Sequence, residues 1–133
     1  MPYDTLVVRV DHWWLELSYL PGLEDVLGDV SILQCYVALS ERTSAAGLER
    51  LLGRVNAKLP IGGFGLLDNP RVLFFKHNAM LPNDNGFQIV RELIAMTDYL
   101  IATFSGPLIK IATGKATVDE AMSDMPFRDV IGP

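Results

Sequence analysis

The sequence predicts an α+β domain: a five-stranded antiparallel sheet with helices packed on one face, in the order β-β-β-α-β-β-α-α. Three observations predict it. Apolar and polar residues alternate with period two in short runs over residues 6–39. Apolar residues then recur at helical spacing over residues 48–59 and 87–104. Short links join the first three runs, which favours antiparallel neighbours.

The first three elements read as strands over residues 6–10, 12–20 and 30–39. The first is short and β-branched. In the second and third, alternation places every other side chain on one face of the sheet. Pro21-Gly22 ends the second strand and Gly28-Asp29 precedes the third. The segment between them, residues 23–27, is expected to form a loop or one helical turn.

A helix follows, because the apolar spacing changes to that of one helical face, formed by Leu48, Leu51, Leu52, Val55 and Leu59. Either Thr43 or Ser44 is the expected N-cap, and Pro60 is the expected stop. Residues 64–67 and 71–79 then form a predicted hairpin around the turn 68–70. Its second strand has Phe74 on one face and Phe75 and His77 on the other.

A polar loop, residues 82–86, leads into the longest predicted helix, which starts near Phe87. Pro107 follows Ser105-Gly106 and is expected to kink or break this helix, because it removes a donor and clashes with the preceding turn. A short last helix is predicted over residues 118–125, with a capping box between Thr117 and Glu120. The predicted buried stripe of the long helix comprises Val90, Leu93, Ile94, Thr97, Leu100, Ile101 and Phe104.

Length and composition predict one domain, residues 1–125, with residues 126–133 as a C-terminal tail. Half of the 133 residues are apolar and mean hydropathy is +0.26. Because so small a core cannot absorb all of this apolar area, we expect a homodimer or partner interface. The net charge of −5 and the mixed charges of residues 41–58 argue against nucleic acid and anionic membrane surfaces.

The start of the chain lacks a signal-sequence pattern, and its apolar runs are too short to span a bilayer. A single cysteine, Cys35, excludes an intramolecular disulfide. The expected location is therefore the cytoplasm.

His77 is the most interesting titratable residue, because it lies near the end of an apolar strand before a polar loop. With Asn78 and Asp84 it forms a candidate ligand site, although a strand-end histidine bonded to backbone explains the same pattern. Cys35 lies mid-strand and reads as a buried hydrophobe rather than a nucleophile. The sequence has no spacing typical of metal or cofactor binding, and no catalytic residue, metal or cofactor is expected.

Adjacent tryptophans predict a surface on the second face of the sheet. If Trp13 joins the core, Trp14 must point the opposite way. The same parity places Ile32 and Tyr36 on the face away from the core. Because tryptophan is enriched at binding hot spots, Trp14, Ile32 and Tyr36 are the candidate partner or dimer interface. A half-exposed tryptophan without a partner is the alternative.

Three stretches resemble the YbjN-like family, which has the type III secretion chaperone-like fold. They are residues 56–64 (NAKLPIGGF), residues 72–79 (VLFFKHNA) and, after a long helix, residues 114–121 (GKATVDEA). The resemblance covers residues 6–125. It implies a bacterial cytoplasmic protein that regulates sensory transduction or stress responses, with no established catalytic residues. The family usually begins with an amphipathic helix, whereas Met1 here lies close to the first strand.

Two functions follow as hypotheses. The first is a non-enzymatic, chaperone-like regulatory module, a homodimer that binds a peptide or protein partner. The second is a small ligand-binding protein or enzyme with a site near His77, which requires a pocket with a nearby carboxylate such as Asp84.

Overall fold

The structure is a computed structural model that describes residues 5–19, 30–41, 47–67, 71–82 and 86–123. It is an α+β fold with a five-stranded antiparallel sheet, as predicted. The elements in chain order are β1 (Thr5–Val10), β2 (Trp13–Tyr19), β3 (Val30–Glu41), α1 (Leu48–Asn56), β4 (Gly63–Leu67), β5 (Val72–Pro82), α2 (Gly86–Ala112) and α3 (Val118–Met122).

The strands lie in the order β1-β2-β3-β5-β4, so β3 is central and β1 and β4 form the edges. β3 pairs with both β2 and β5 and is the longest strand. It continues two residues beyond the predicted end at position 39. A register shift between Ala38 and Ser40 allows this, because Leu39 is an extra residue opposite β5.

The core lies between one face of the sheet and the helices. Alternate residues of β2, β3 and β5 point into it, and Phe75 at its centre is fully buried. The apolar faces of α1 and α2 close it from the other side, as the helical spacing predicted. The buried sheet residues are Leu15, Leu17, Leu33, Cys35, Val37, Leu39, Phe64, Leu73, Phe75 and Leu81. In the part of the chain that the structure describes, no helix is long and apolar enough to cross a membrane.

The predicted N-cap of α1 is wrong. Thr43 and Ser44 lie outside the described residues, and the helix begins at Leu48 with Gly47 as its N-cap. Gly47 makes no side-chain cap hydrogen bond. Leu48 is fully buried, so packing of the first apolar residue decides where this helix starts, in place of a capping hydroxyl. Its helical residues end at Asn56, before the predicted stop at Pro60.

Pro107 was predicted to kink or break the helix, and the break does not occur, because α2 continues through it to Ala112. Pro107 cannot donate to the carbonyl of Thr103, which costs about 3 kcal/mol in a helix interior. Burial of Phe104, Leu108 and Ile111 around it outweighs that cost, at about 1.5–3 kcal/mol for each large apolar side chain. The burial of these apolar side chains, and not the local cost of proline, therefore determines the course of the helix here.

The predicted cap of α3 is present, because the hydroxyl of Thr117 accepts a hydrogen bond from the Glu120 amide at 3.1 Å. The Glu120 carboxylate accepts from the same hydroxyl. The helix ends at Met122 instead of residue 125. The expected loop at residues 23–27, the turn at 68–70 and the tail at 126–133 all lie outside the described residues.

Two carboxyl groups meet where the β1–β2 turn reaches α2. Asp11 occupies that turn with a positive φ of 54°. Burial raises the pKa of Asp98 above its usual value, and the charge of Asp11 and a hydrogen bond to it raise this pKa further. Because the folded pKa exceeds the unfolded one, ionised Asp98 destabilises the fold above its folded pKa. The destabilisation is lost as pH falls below the unfolded pKa of about 3.9.

We therefore expect Asp98→Asn to make the protein slightly more stable at pH 7 and to leave stability unchanged near pH 3. Urea unfolding of wild type and variant at the two pH values measures this. Glu92→Gln, on the exposed side of the same helix, is the matched control. An equal effect of Asp98→Asn at both pH values would show that ionisation of Asp98 beside Asp11 does not cause the change in stability.

Candidate functional site

The sheet face opposite the helices, which we call the helix-free face, is apolar at one end. Strand pairing places Trp14 beside Arg9, and Phe74 beside both Ala38 and Gly65. Arg9 and Trp14 form one pair on β1 and β2, and Ala38, Phe74 and Gly65 form a row across β3, β5 and β4. Trp14 is 56% exposed, whereas Phe74 is half-buried. Both aromatic side chains lie on the helix-free face.

An aromatic pair forms the centre of this apolar end. The rings of Tyr36 and Phe74 stack with centroids 5.4 Å apart and planes at 29°. The Phe74 ring lies against Gly65 of the neighbouring strand, where a Cβ atom would be 2.6 Å from Phe74 Cζ. Gly65 thus provides the space that lets the ring lie flat on the sheet. The result is a firm aromatic surface, which we call the Tyr36–Phe74 platform.

Trp14 and Trp13 point in opposite directions, as parity predicted. Trp13 packs against the core, while Trp14 is exposed on the helix-free face. The guanidinium of Arg9 lies over the Trp14 ring, 5.3 Å from its centroid. This cation–π contact holds the indole against the sheet, so that a partner would meet a partly ordered side chain.

Ile32 lies on the predicted face but not within the same patch. It is four residues from Tyr36 along β3, about 13 Å in a strand. Between them, Gln34 pairs with Ser18 on one side and Asn78 on the other. This polar row separates the apolar end from a second group, in which Ile32 pairs with Met80. The structure therefore brings Trp14 and Tyr36 to one end and leaves Ile32 at the other.

The helix-free face carries charged residues of both signs. Arg9, Glu16 and Lys76 lie on it, and Glu41 at the end of β3 pairs with Val72. Glu16 pairs with Tyr36 across the strands. Burial raises the pKa of the Tyr36 hydroxyl, and the charge of Glu16 raises it further, so the hydroxyl stays protonated.

The second predicted site does not assemble as expected. His77 pairs with Cys35 on the helix side of the sheet, whereas Asn78 pairs with Gln34 on the helix-free face. Adjacent residues of a strand point to opposite faces, so His77 and Asn78 cannot act on one ligand. Asp84 lies outside the described residues.

His77 does border a cavity of about 260 Å³ between β5 and α2. Glu92 is the other titratable residue of the lining, whose remaining members are Ile61, Ala79, Ile89, Leu93 and Met96. Burial lowers the pKa of His77, which keeps the imidazole neutral. No described residue forms a hydrogen bond with the imidazole. The cavity is slightly below the range of about 300–1,000 Å³ typical of small-molecule sites.

Cys35 is fully buried in the core, as expected for a structural cysteine. The hydroxyl of Thr97 donates a hydrogen bond to its sulfur at 3.7 Å. Burial raises the pKa of this thiol, more than the hydrogen bond lowers it. Cys35 is therefore a neutral packing residue. Among the described residues no three His, Cys, Asp or Glu side chains are grouped to hold a metal ion.

A second exposed apolar surface runs along the outer side of α2. Ala95, Met96 and Tyr99 line a shallow depression there together with Glu92. Tyr99 is 63% exposed, about as much as Trp14. This surface lies on the opposite side of the protein from the platform. It is the natural comparison for any binding experiment.

Phe74, Gly65 and Met80 belong to the helix-free face but were absent from the predicted interface. The signal for Phe74 was present in the sequence, because the period-two pattern of β5 separates it from Phe75 and His77. Joining Phe74 to Tyr36 requires the β3–β5 register, which residue types do not specify. Gly65 gave no signal of its own, because its role depends on the ring packed against it.

Comparison with known proteins finds no matching family model, no matching curated protein and no matching solved structure. The resemblance to YbjN-like proteins therefore stays a prediction from the three short stretches.

Proposed function

We propose that this chain is a non-enzymatic binding module that holds a protein or peptide partner on the helix-free face of its sheet. The observation that carries the proposal is the exposed Trp14 on the same face as the Tyr36–Phe74 platform, where Glu16, two residues from Trp14, pairs with Tyr36. Large aromatic side chains on a firm apolar surface are typical of protein interfaces, where tryptophan and tyrosine dominate the hot spots. The exposed aromatic surface suits a partner segment with apolar side chains.

The proposal includes a chaperone-like, regulatory role in the cytoplasm and a homodimeric state. The element order and the three YbjN-like stretches support it, and with it a type III secretion chaperone-like fold. A small-ligand site or enzyme at His77 is the weaker alternative. Its cavity is small and nearly all apolar, whereas catalysis requires convergent polar groups.

Site-specific photo-crosslinking tests the proposal. A photoreactive amino acid replaces Trp14 in one variant and Tyr99 in another, each expressed in the native cell. We expect position 14 to give a discrete adduct with another protein, identified by mass spectrometry, and position 99 to give none. Tyr99 is the matched control because it is an equally exposed aromatic residue on the opposite side. Adducts at position 99 alone would mean that the partner binds at α2, and this result would refute the proposal.

A further inference from the structure

The two edges of the sheet are unlike each other. At the β4 edge, the side chain of Asn56 donates to the carbonyl of Phe64 and accepts from its amide, both at 2.8 Å. The amide of Asn56 therefore occupies both backbone groups of Phe64, which another strand would need. β4 is also short and contains two glycines, Gly63 and Gly65. These features disfavour strand addition at this edge.

Among the described residues, the β1 edge has neither a side chain bonded to its backbone nor a glycine. β1 pairs with β2 without a register shift, and its outer side carries no strand within the described residues. It contains no proline, lysine or bulge, the usual devices that protect an edge. Its charged side chain, Arg9, lies over Trp14. Leu6 and Val7 are 61% and 51% exposed, so both faces of this edge are apolar.

We infer that β1 is the dimerisation edge, and that a second copy of this chain pairs with it in an antiparallel, two-fold arrangement to give a ten-stranded sheet. The inference deepens the homodimer part of the proposed function. A two-fold axis through an antiparallel pair must stand perpendicular to the sheet. Such an axis keeps each face of the sheet on the same side in both copies. If the axis passes at Val7, Leu6 of one copy therefore lies beside Val8 of the second copy.

The chemistry of the edge agrees with a second copy as the occupant. With the axis at Val7, apolar Leu6 lies beside apolar Val8, and Arg9, the charged residue of β1, lies beside Thr5 of the second copy, so that no like charges meet. Assembly stops at two copies, because the dimer uses both β1 edges and leaves the β4 edges, where Asn56 occupies the backbone groups of Phe64. The two Trp14 patches then lie on the same side of one sheet, about 14 Å apart across three strand spacings and, with the axis at Val7, about 13 Å apart along the strands.

Sedimentation of Val7→Lys, with Leu67→Lys as the matched control, tests the inference. Both residues are exposed on the helix-free face, one on each edge strand. We expect wild type and Leu67→Lys to dimerise with equal affinity, and Val7→Lys to dimerise at least tenfold more weakly. A monomeric wild type, or an undiminished Val7→Lys dimer, would overturn the inference.

Cysteine cross-linking decides the question if Val7→Lys does not fold. Residues opposite each other on antiparallel strands have Cα atoms about 4.5–5.5 Å apart, within disulfide range. We expect Val7→Cys or Val8→Cys, whichever lies at the axis, to form a disulfide dimer on mild oxidation, and Leu67→Cys to form none. Cys35 is buried and does not interfere. Equal cross-linking at both edges, or none at β1, would overturn the inference. Partner cross-linking at position 14 would leave the proposed function standing in that case.

Discussion

Gly62→Ala is expected to lower the free energy of unfolding by about 3 kcal/mol. Gly62 has a φ of +66°, where a side chain costs about 1–2 kcal/mol. A Cβ atom there would lie 2.6 Å from Phe75 Cζ and 2.9 Å from the Lys76 carbonyl oxygen. Phe75 is fully buried and cannot move aside, so overpacking adds about 1–3 kcal/mol.

Urea unfolding of Gly62→Ala beside Gly53→Ala measures this effect. Gly53 lies inside α1, and a Cβ atom there would have no neighbour within 4 Å. Gly53→Ala should therefore stabilise the protein by about 0.5–1 kcal/mol, because alanine favours a helix over glycine. If the two substitutions shifted the unfolding midpoint in the same direction, the close packing of Gly62 on Phe75 would be wrong.

Trp13→Ala is expected to cost about 3 kcal/mol, and Trp14→Ala less than about 1 kcal/mol. Trp13 packs against the core, so truncation removes buried contacts and leaves space behind. Because Trp13 is half-buried, its cost falls at the low end of the range for tryptophan. Trp14 is mostly exposed, and surface substitutions usually change stability little.

The midpoints of urea unfolding for these two variants test the assignment of the two faces. Each variant removes the same side chain from adjacent positions of one strand, so each serves as the control for the other. Comparable midpoints would mean that both indoles contribute equally to the fold. The exposure of Trp14 would then no longer support a binding role for the helix-free face.

The order of elements and the face of each strand were predictable, because period two and helical spacing are local properties of the chain. The start of α1 and the path through Pro107 were not. At both places the propensity of a few residues favoured one outcome, and tertiary burial of Leu48 or Leu108 decided another. The register shift beside Leu39 could not be predicted from the sequence either, because it depends on how β5 pairs with β3.

The candidate site was predictable to the level of faces but not of distances. Parity placed Trp14 and Tyr36 on the helix-free face, where they lie. Parity could not show that Gln34 separates Ile32 from them, because that requires the length of the strand and its neighbours. The grouping of His77 with Asn78 was wrong because it relied on their closeness in sequence. Side chains alternate between the two faces of a strand, so this pattern already separated the two residues.

The central claim is that Trp14 and the Tyr36–Phe74 platform bind another chain. The most direct test is the affinity of the purified partner, identified by cross-linking at position 14, for wild type, Trp14→Ala and Tyr99→Ala in titration calorimetry. Loss of a hot-spot tryptophan costs 2 kcal/mol or more, about thirtyfold in affinity. We expect that loss for Trp14→Ala and wild-type affinity for Tyr99→Ala. Wild-type affinity for Trp14→Ala would contradict the account.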